Sequence, residues 1–167
     1  MPTQKRNKGF TIIETLVAVA ILMISIAGPL TIAHKGLLAA INARDQVTAS
    51  YLAQDAMEYV KNMRDNNKLE NHSWLAGFDG CNSVNACGVN TLNEANDAIV
   101  SDCGTCVLKK DNTGYNHSTG NNSQFSRIFY LDNINIGQAT MVVEVKWNSG
   151  TIGNVVTYES EIFDVLK

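Results

Sequence analysis

Glu14 is the only ionisable side chain between Phe10 and Ala33, a run of twenty-four residues. A carboxylate inside a bilayer costs about 3 kcal/mol even on the lenient insertion scales, so it implies a partner and a purpose. Gly9 and Phe10 stand just before it, and ahead of them lie Lys5, Arg6 and Lys8 with no acidic residue. Cleavage after Gly9 would leave a cationic amine on Phe10, one helical turn from Glu14. In a bundle of parallel copies the amine of one subunit can then neutralise the carboxylate of the next. Near a helix start the same carboxylate also complements the positive end of the helix dipole.

The second group able to do chemistry is Cys81, Cys87, Cys103 and Cys106. Outside the cytoplasm thiols oxidise, and two disulfides would staple a loop otherwise too long to lack structure. Three pairings are possible. Pairs joining the two halves of the loop are preferred, because a longer closed loop removes more entropy from the unfolded chain; the adjacent pairs, Cys81 with Cys87 and Cys103 with Cys106, stay open. A four-thiolate zinc site is the rival, with a first spacing wide for a zinc knuckle. Cys103-Gly104-Thr105-Cys106 lacks the strand-to-helix context of a redox motif.

Little else points to catalysis, and no catalytic residue is assigned. His34, His72 and His117 are scattered and read as surface or interfacial residues, and phosphate-binding loops, nucleophile elbows and metalloprotease helices are absent from the sequence. Asp111-Asn112-Thr113-Gly114 is oxygen-rich, but its spacing fits no calcium loop and reads as a solvated turn. No metal site or cofactor is expected.

The elements that must position these residues follow from pattern. Residues 10–33 as a helix would measure about 36 Å at about 1.5 Å per residue, enough to cross a hydrocarbon core of about 30 Å. The basic cluster before it keeps residues 1–9 cytoplasmic and sends the bulk of the chain outward. A secretory signal places its small-residue cleavage site after the apolar run; here Gly9 precedes it. Gly28-Pro29 is expected to break or kink the helix. Over residues 34–67 the helix continues as an amphipathic half, with Ala49, Leu52, Ala53, Ala56, Val60 and Met63 on one face. Asp65-Asn66-Asn67 closes it.

Residues 68–120 form a loop region rich in asparagine, glycine and serine that carries the cysteines, with a short helix near Leu92 to Ile99. Strands are expected at Cys106 to Lys110, Phe125 to Asp132, Thr140 to Trp147 and Asn154 to Val165, the last three making an antiparallel sheet over 121–167. Its apolar face is assigned to Ile128, Tyr130, Met141, Val143, Val145, Val156, Tyr158 and Ile162, covered by the amphipathic helix. The fold class is therefore α+β. Formal charge is −3, and −6 without the three basic residues of 1–9, which argues against a generic electrostatic footprint for nucleic acid. About a hundred residues are left for the head, enough for one modest core.

Residues 9–22, Gly-Phe-Thr-Ile-Ile-Glu-Thr-Leu-Val-Ala-Val-Ala-Ile-Leu, resemble the prepilin cleavage and methylation motif of type IV pilins and type II secretion pseudopilins. The resemblance implies a pilin fold and a structural, non-enzymatic subunit. It implies that a prepilin peptidase cuts between Gly9 and Phe10 and methylates the Phe10 amine, that Glu14 docks subunits in a helical filament, and that the Gly28-Pro29 region unwinds there. The stretch Ala49 to Glu58 and the ending Val143-Glu144-Val145-Lys146-Trp147 are similar to V-type minor pilins and I-type minor pseudopilins. Implied partners are other pilins or pseudopilins, the prepilin peptidase, an inner-membrane assembly platform driven by a cytoplasmic ATPase, and membrane lipid before assembly. The implied location is the inner membrane, single pass with the head outside the cytoplasm, then the filament. A different class stays open: a single-pass, membrane-anchored extracytoplasmic binding domain, with metal as one ligand class.

Overall fold

The structure, a computed structural model, describes residues 9–92, 99–100, 105–150 and 152–164. It comprises two compact units, Met1–Ala43 and Arg44–Lys167. Helix α1 (Ile12–Leu69, 58 residues) begins in the first and ends in the second.

In the first unit the helix is long and apolar enough to cross a membrane, and the apolar stretch is exposed along its whole length. Its hydroxyls are satisfied on the helix itself: Thr15 Oγ1 donates to the Ile12 carbonyl, Ser25 Oγ to Ile21 and Thr31 Oγ1 to Ala27, at 2.7, 2.7 and 2.8 Å. Internal satisfaction of this kind is what a lipid environment demands. The break expected at Gly28-Pro29 is not an interruption of the helix, which runs through both residues. Proline removes a single donor, the one that would reach the Ser25 carbonyl, and the ladder on either side persists.

In the second unit the predicted helical face is buried at Ala49, Leu52, Ala53, Ala56 and Val60, with Met63 packed against the same core. The helix ends two residues beyond the expected Asn67. Asn71 takes a left-handed φ of 60°, the Asn71 amide donates to the Lys68 carbonyl and the His72 amide to Asn67, which closes the helix in a Schellman motif. Asn67 is buried and its amide donates to the carbonyls of Ala76 and Trp74, at 2.8 and 3.4 Å, pinning the following loop.

Against the helix lies a five-stranded antiparallel sheet in the order β4-β3-β5-β6-β7. Its strands are β3 (Val107–Lys110), β4 (Tyr115–Asn116), β5 (Asn121–Asn135), β6 (Gln138–Ser149) and β7 (Ile152–Phe163). The last three form the expected meander, while β3 and β4 carry the sheet back into the region read as loop. A two-stranded pair, β1 (Gly88–Val89) with β2 (Ile99–Val100), lies beside it in sequence. The helix expected near Leu92 to Ile99 falls mainly on residues 93–98, outside the described residues, and Ile99 belongs to β2.

One face assignment is overturned. Phe125, Arg127, Phe129 and Leu131 are the buried residues of β5, opposite Trp147, Val145, Val143 and Met141 of β6. Ile128 and Tyr130 lie on the outer face. Alternation has a period of two, so reading the strand one residue out exchanges its faces completely. The faces of β6 and β7 agree with expectation: Met141, Val143, Val145 and Ile162 are buried, and Val156 and Tyr158 pack at the core margin.

Candidate functional site at the start of helix α1

Gly9, Phe10 and Thr11 precede the helix, and Glu14 lies in its first turn. Four amides at a helix start lack intrahelical acceptors. Thr11 supplies one of the missing partners: its Oγ1 accepts from the Glu14 amide at 3.4 Å, and its carbonyl accepts from the amides of Glu14 and Thr15 at 3.1 and 3.2 Å. The run Thr11-Ile12-Ile13-Glu14 has the spacing of a capping box, and Thr11 performs the capping. The Glu14 side chain is exposed and makes no ion pair among the described residues. Phe10, Ile12, Ile13 and Leu16 around it are exposed as well. The arrangement is thus a capped apolar helix with one unsatisfied carboxylate beside a Gly-Phe junction. Residues 1–8 lie outside the described residues.

The cysteines are brought together differently from the loop-entropy preference. Cys81 pairs with Cys87, and strand β5 explains why. Cys87 exchanges backbone hydrogen bonds with Phe129 at 2.8 and 2.9 Å, and the Leu131 amide donates to the Cys81 carbonyl at 3.0 Å. Both cysteines are therefore docked on one strand edge two residues apart, and native geometry outweighs the entropy of the unfolded loop. Cys106 is also disulfide-bonded, and Cys103 lies outside the described residues. No metal-holding cluster of histidine, cysteine and acidic side chains occurs among the described residues.

Asp111 organises its turn with both carboxylate oxygens. Oδ1 accepts from the Thr113 amide and hydroxyl and from the Gly114 amide; Oδ2 accepts from Asn116 Nδ2 and Thr119 Oγ1. The hydroxyls of Thr113 and Thr119, then the Thr113 amide, hold its pKa well below the usual carboxylate range. Gly114 and Gly120 complete the turn with positive φ, and a Cβ on Gly120 would lie 2.4 Å from the Lys110 carbonyl oxygen.

The histidines do not converge. His34 and His72 are exposed, the latter 3.5 Å from Glu70. His117 is half-buried, and burial followed by the charge of Arg127 lowers its pKa to about 4.

Arg127 is a polar site that no motif in the sequence announces. It is 0% exposed. Nη1 donates to the Leu52 carbonyl and to Asp55 Oδ2, both at 2.9 Å, and Nη2 donates to the Val89 carbonyl at 2.7 Å. Thr91 Oγ1 donates to the same Asp55 oxygen. Arginine suits such a site because its planar fork offers several fixed donors. A pocket whose lining includes Leu52, Asp55, Thr91 and Tyr115 opens on the acceptor side of the group; Arg127 itself does not line it, and its bonds make the arrangement a structural clamp joining helix, loop and sheet.

Comparison with known proteins bears on the first site. Residues 4–28 match the family model of the prokaryotic N-terminal methylation motif. The matched residues contain Gly9, Phe10, Glu14 and Gly28, and the match supports the type IV pilin and pseudopilin family. No curated protein and no solved structure matches the chain. The motif, the apolar helix and the α+β head with its disulfide fit a membrane-anchored pilin-type subunit.

Proposed function

We propose that this protein is a minor pilin or pseudopilin, a structural subunit of a type IV pilus or type II secretion pseudopilus. The observation that carries the reading is the methylation motif over residues 4–28, set at the start of an apolar helix whose first-turn carboxylate is free. In this reading residues 1–9 are a leader removed by a prepilin peptidase between Gly9 and Phe10, and the Phe10 amine is then methylated. Residues 10–33 anchor the subunit once across the inner membrane with the head outside the cytoplasm.

Thr11 gives the docking role its physical basis. Thr11 accepts from the Glu14 amide, and among the described residues the Glu14 carboxylate makes no hydrogen bond or ion pair, so it is not consumed in closing its own helix. It is available to the Phe10 amine of a neighbouring subunit, and that pairing offsets the cost of carrying a charge into lipid. Gly28 and Pro29 lie within a continuous helix, and the missing proline donor makes this the place where the helix would unwind on assembly. The minor role rests on the similarity of Ala49 to Glu58 and Val143 to Trp147 to minor subunits. Its partners are other pilins, the peptidase and the assembly platform.

The test is assembly in cells that carry the platform. Glu14→Ala should be processed normally yet remain in the membrane fraction and out of sheared filaments. Filament incorporation equal to that of the unaltered protein would remove the docking role.

A further inference from the structure

The two edges of the five-stranded sheet differ. One is β4, two residues long and too short to template another chain. The other is β7, twelve residues paired to β6 in unbroken register from Gln138↔Phe163 to Ser149↔Ile152. Among the described residues no strand pairs with its far side. Proteins ordinarily blunt a long edge with proline, a bulge or charged side chains; β7 has neither proline nor bulge, and the charges on its exposed side are Glu159 and Glu161.

The phase of the ladder identifies the open backbone groups. The Asp164 amide donates to the Gly137 carbonyl at 2.9 Å, and these two residues continue the β6-β7 register. Directly opposed residues alternate between bonded and non-bonded pairs, so the even-numbered residues of β7 bond to β6. Val155, Thr157, Glu159 and Glu161 direct their N–H and C=O groups away from it. Their side chains are exposed on the outer face, while Val156 and Tyr158 are half-buried on the core face of the same edge.

Charge selects the occupant. Asp132, Glu144, Glu159 and Glu161 share the outer face, where Lys146 is already 2.8 Å from Glu144. The Tyr130 hydroxyl among them has its pKa raised, first by burial and then by Glu144, Asp132 and Glu159. A second copy of β7 would bring its own glutamates to this acidic edge, and like charges across a strand pair are destabilising. A strand with lysine or arginine at alternate positions and apolar residues between them fits both faces. Its cations meet Glu159 and Glu161, and its apolar side chains extend the cover over Val156 and Tyr158.

We infer that β7 is a docking edge for an extended, alternately basic and apolar strand of a different protein, added through the open backbone groups of Val155, Thr157, Glu159 and Glu161. The inference does not depend on leader processing. The test uses the full chain in detergent micelles and a short peptide alternating lysine and valine, with a glutamate-valine peptide as counterpart. Hydrogen exchange should show the amides of Val155, Thr157, Glu159 and Glu161 gaining protection with the basic peptide alone. Thr157→Pro removes one open donor without touching the β6 ladder and should weaken binding about tenfold or more. Glu159→Lys with Glu161→Lys should reverse the preference between the peptides. Binding unchanged by Thr157→Pro, protection confined to other elements, or a dimer whose contact is β7 would each overturn the inference.

Discussion

Arg127 Nη1 lies 2.9 Å from Asp55 Oδ2, joining the middle of strand β5 to helix α1 through a guanidinium with no exposed surface. Three further acceptors, the carbonyls of Leu52 and Val89 and the Thr91 hydroxyl at 3.5 Å, surround the same group. The Asp55 side chain is about half exposed, so the pair is asymmetric: the cation is desolvated and the anion is not.

That asymmetry predicts unequal mutational costs. Arg127→Ala leaves a cavity and strands the carbonyls of Leu52 and Val89, and should cost about 3–5 kcal/mol. Asp55→Asn keeps a hydrogen-bond acceptor and should cost about 1–2 kcal/mol. Urea unfolding of the full chain in detergent, followed by the fluorescence of Trp74 and Trp147, measures both; equal losses would mean that the carboxylate matters more than its exposure allows.

His117 makes the head sensitive to acid. Its folded pKa of about 4 lies below the ordinary 6.5, through burial and the nearby Arg127 charge. Below 6.5 the unfolded chain therefore binds more protons than the folded one. The stabilisation is complete above that value and falls as pH drops toward 4, by about 1 kcal/mol once solvent screening of a half-exposed ring is allowed for. Denaturation midpoints at neutral and mildly acidic pH should diverge in the natural protein and converge in His117→Gln.

Gly120 is required by space as well as by φ. At φ +99° with the Lys110 carbonyl oxygen 2.4 Å from the position of a Cβ, Gly120→Ala should destabilise by about 1–3 kcal/mol. Gly150 also has a positive φ, of 65°, but open space around it. Gly150→Asn should be tolerated, because asparagine enters the left-handed region readily; thermal unfolding of the two variants compares them directly.

The Cys81–Cys87 bond closes a short loop, for which the chain-entropy model gives about 2 kcal/mol. Cys81→Ser with Cys87→Ser should speed amide exchange at position 87, Phe129 and Leu131, where the loop is bonded to β5. The β6-β7 amides should change little. Uniform acceleration across the sheet would show the disulfide to be part of the global fold.

Legibility in the sequence tracked how local each cause is. The α1 face from Ala49 to Val60 was readable because side chains three and four apart recur on one side of a helix. Strands β5 to β7 were readable from alternation. The face of β5 was misread because Arg127 occupies a core position, and a charge there makes Ile128 and Tyr130 look like the inward set. Nothing local announces that Leu52, Asp55 and Val89, distant in sequence, will receive that charge. The cysteine pairing escaped for the same reason, since Phe129 and Leu131 place the two thiols together. At the candidate site one heptapeptide names Gly9, Phe10 and Glu14, and the structure sets the first two just before α1 and Glu14 in its first turn. Thr11 was not singled out, although Thr11-Ile12-Ile13-Glu14 carries the spacing of a capping box.

Processing at Gly9–Phe10 is the step that a filament subunit of this kind requires. Intact-mass and N-terminal peptide mass spectrometry of the protein, co-produced with a prepilin peptidase, measures this directly. The predicted result is a chain that begins at N-methylated Phe10 and lacks Met1 to Gly9. A chain that retains those residues under conditions where the peptidase processes a control prepilin would contradict the filament-subunit reading.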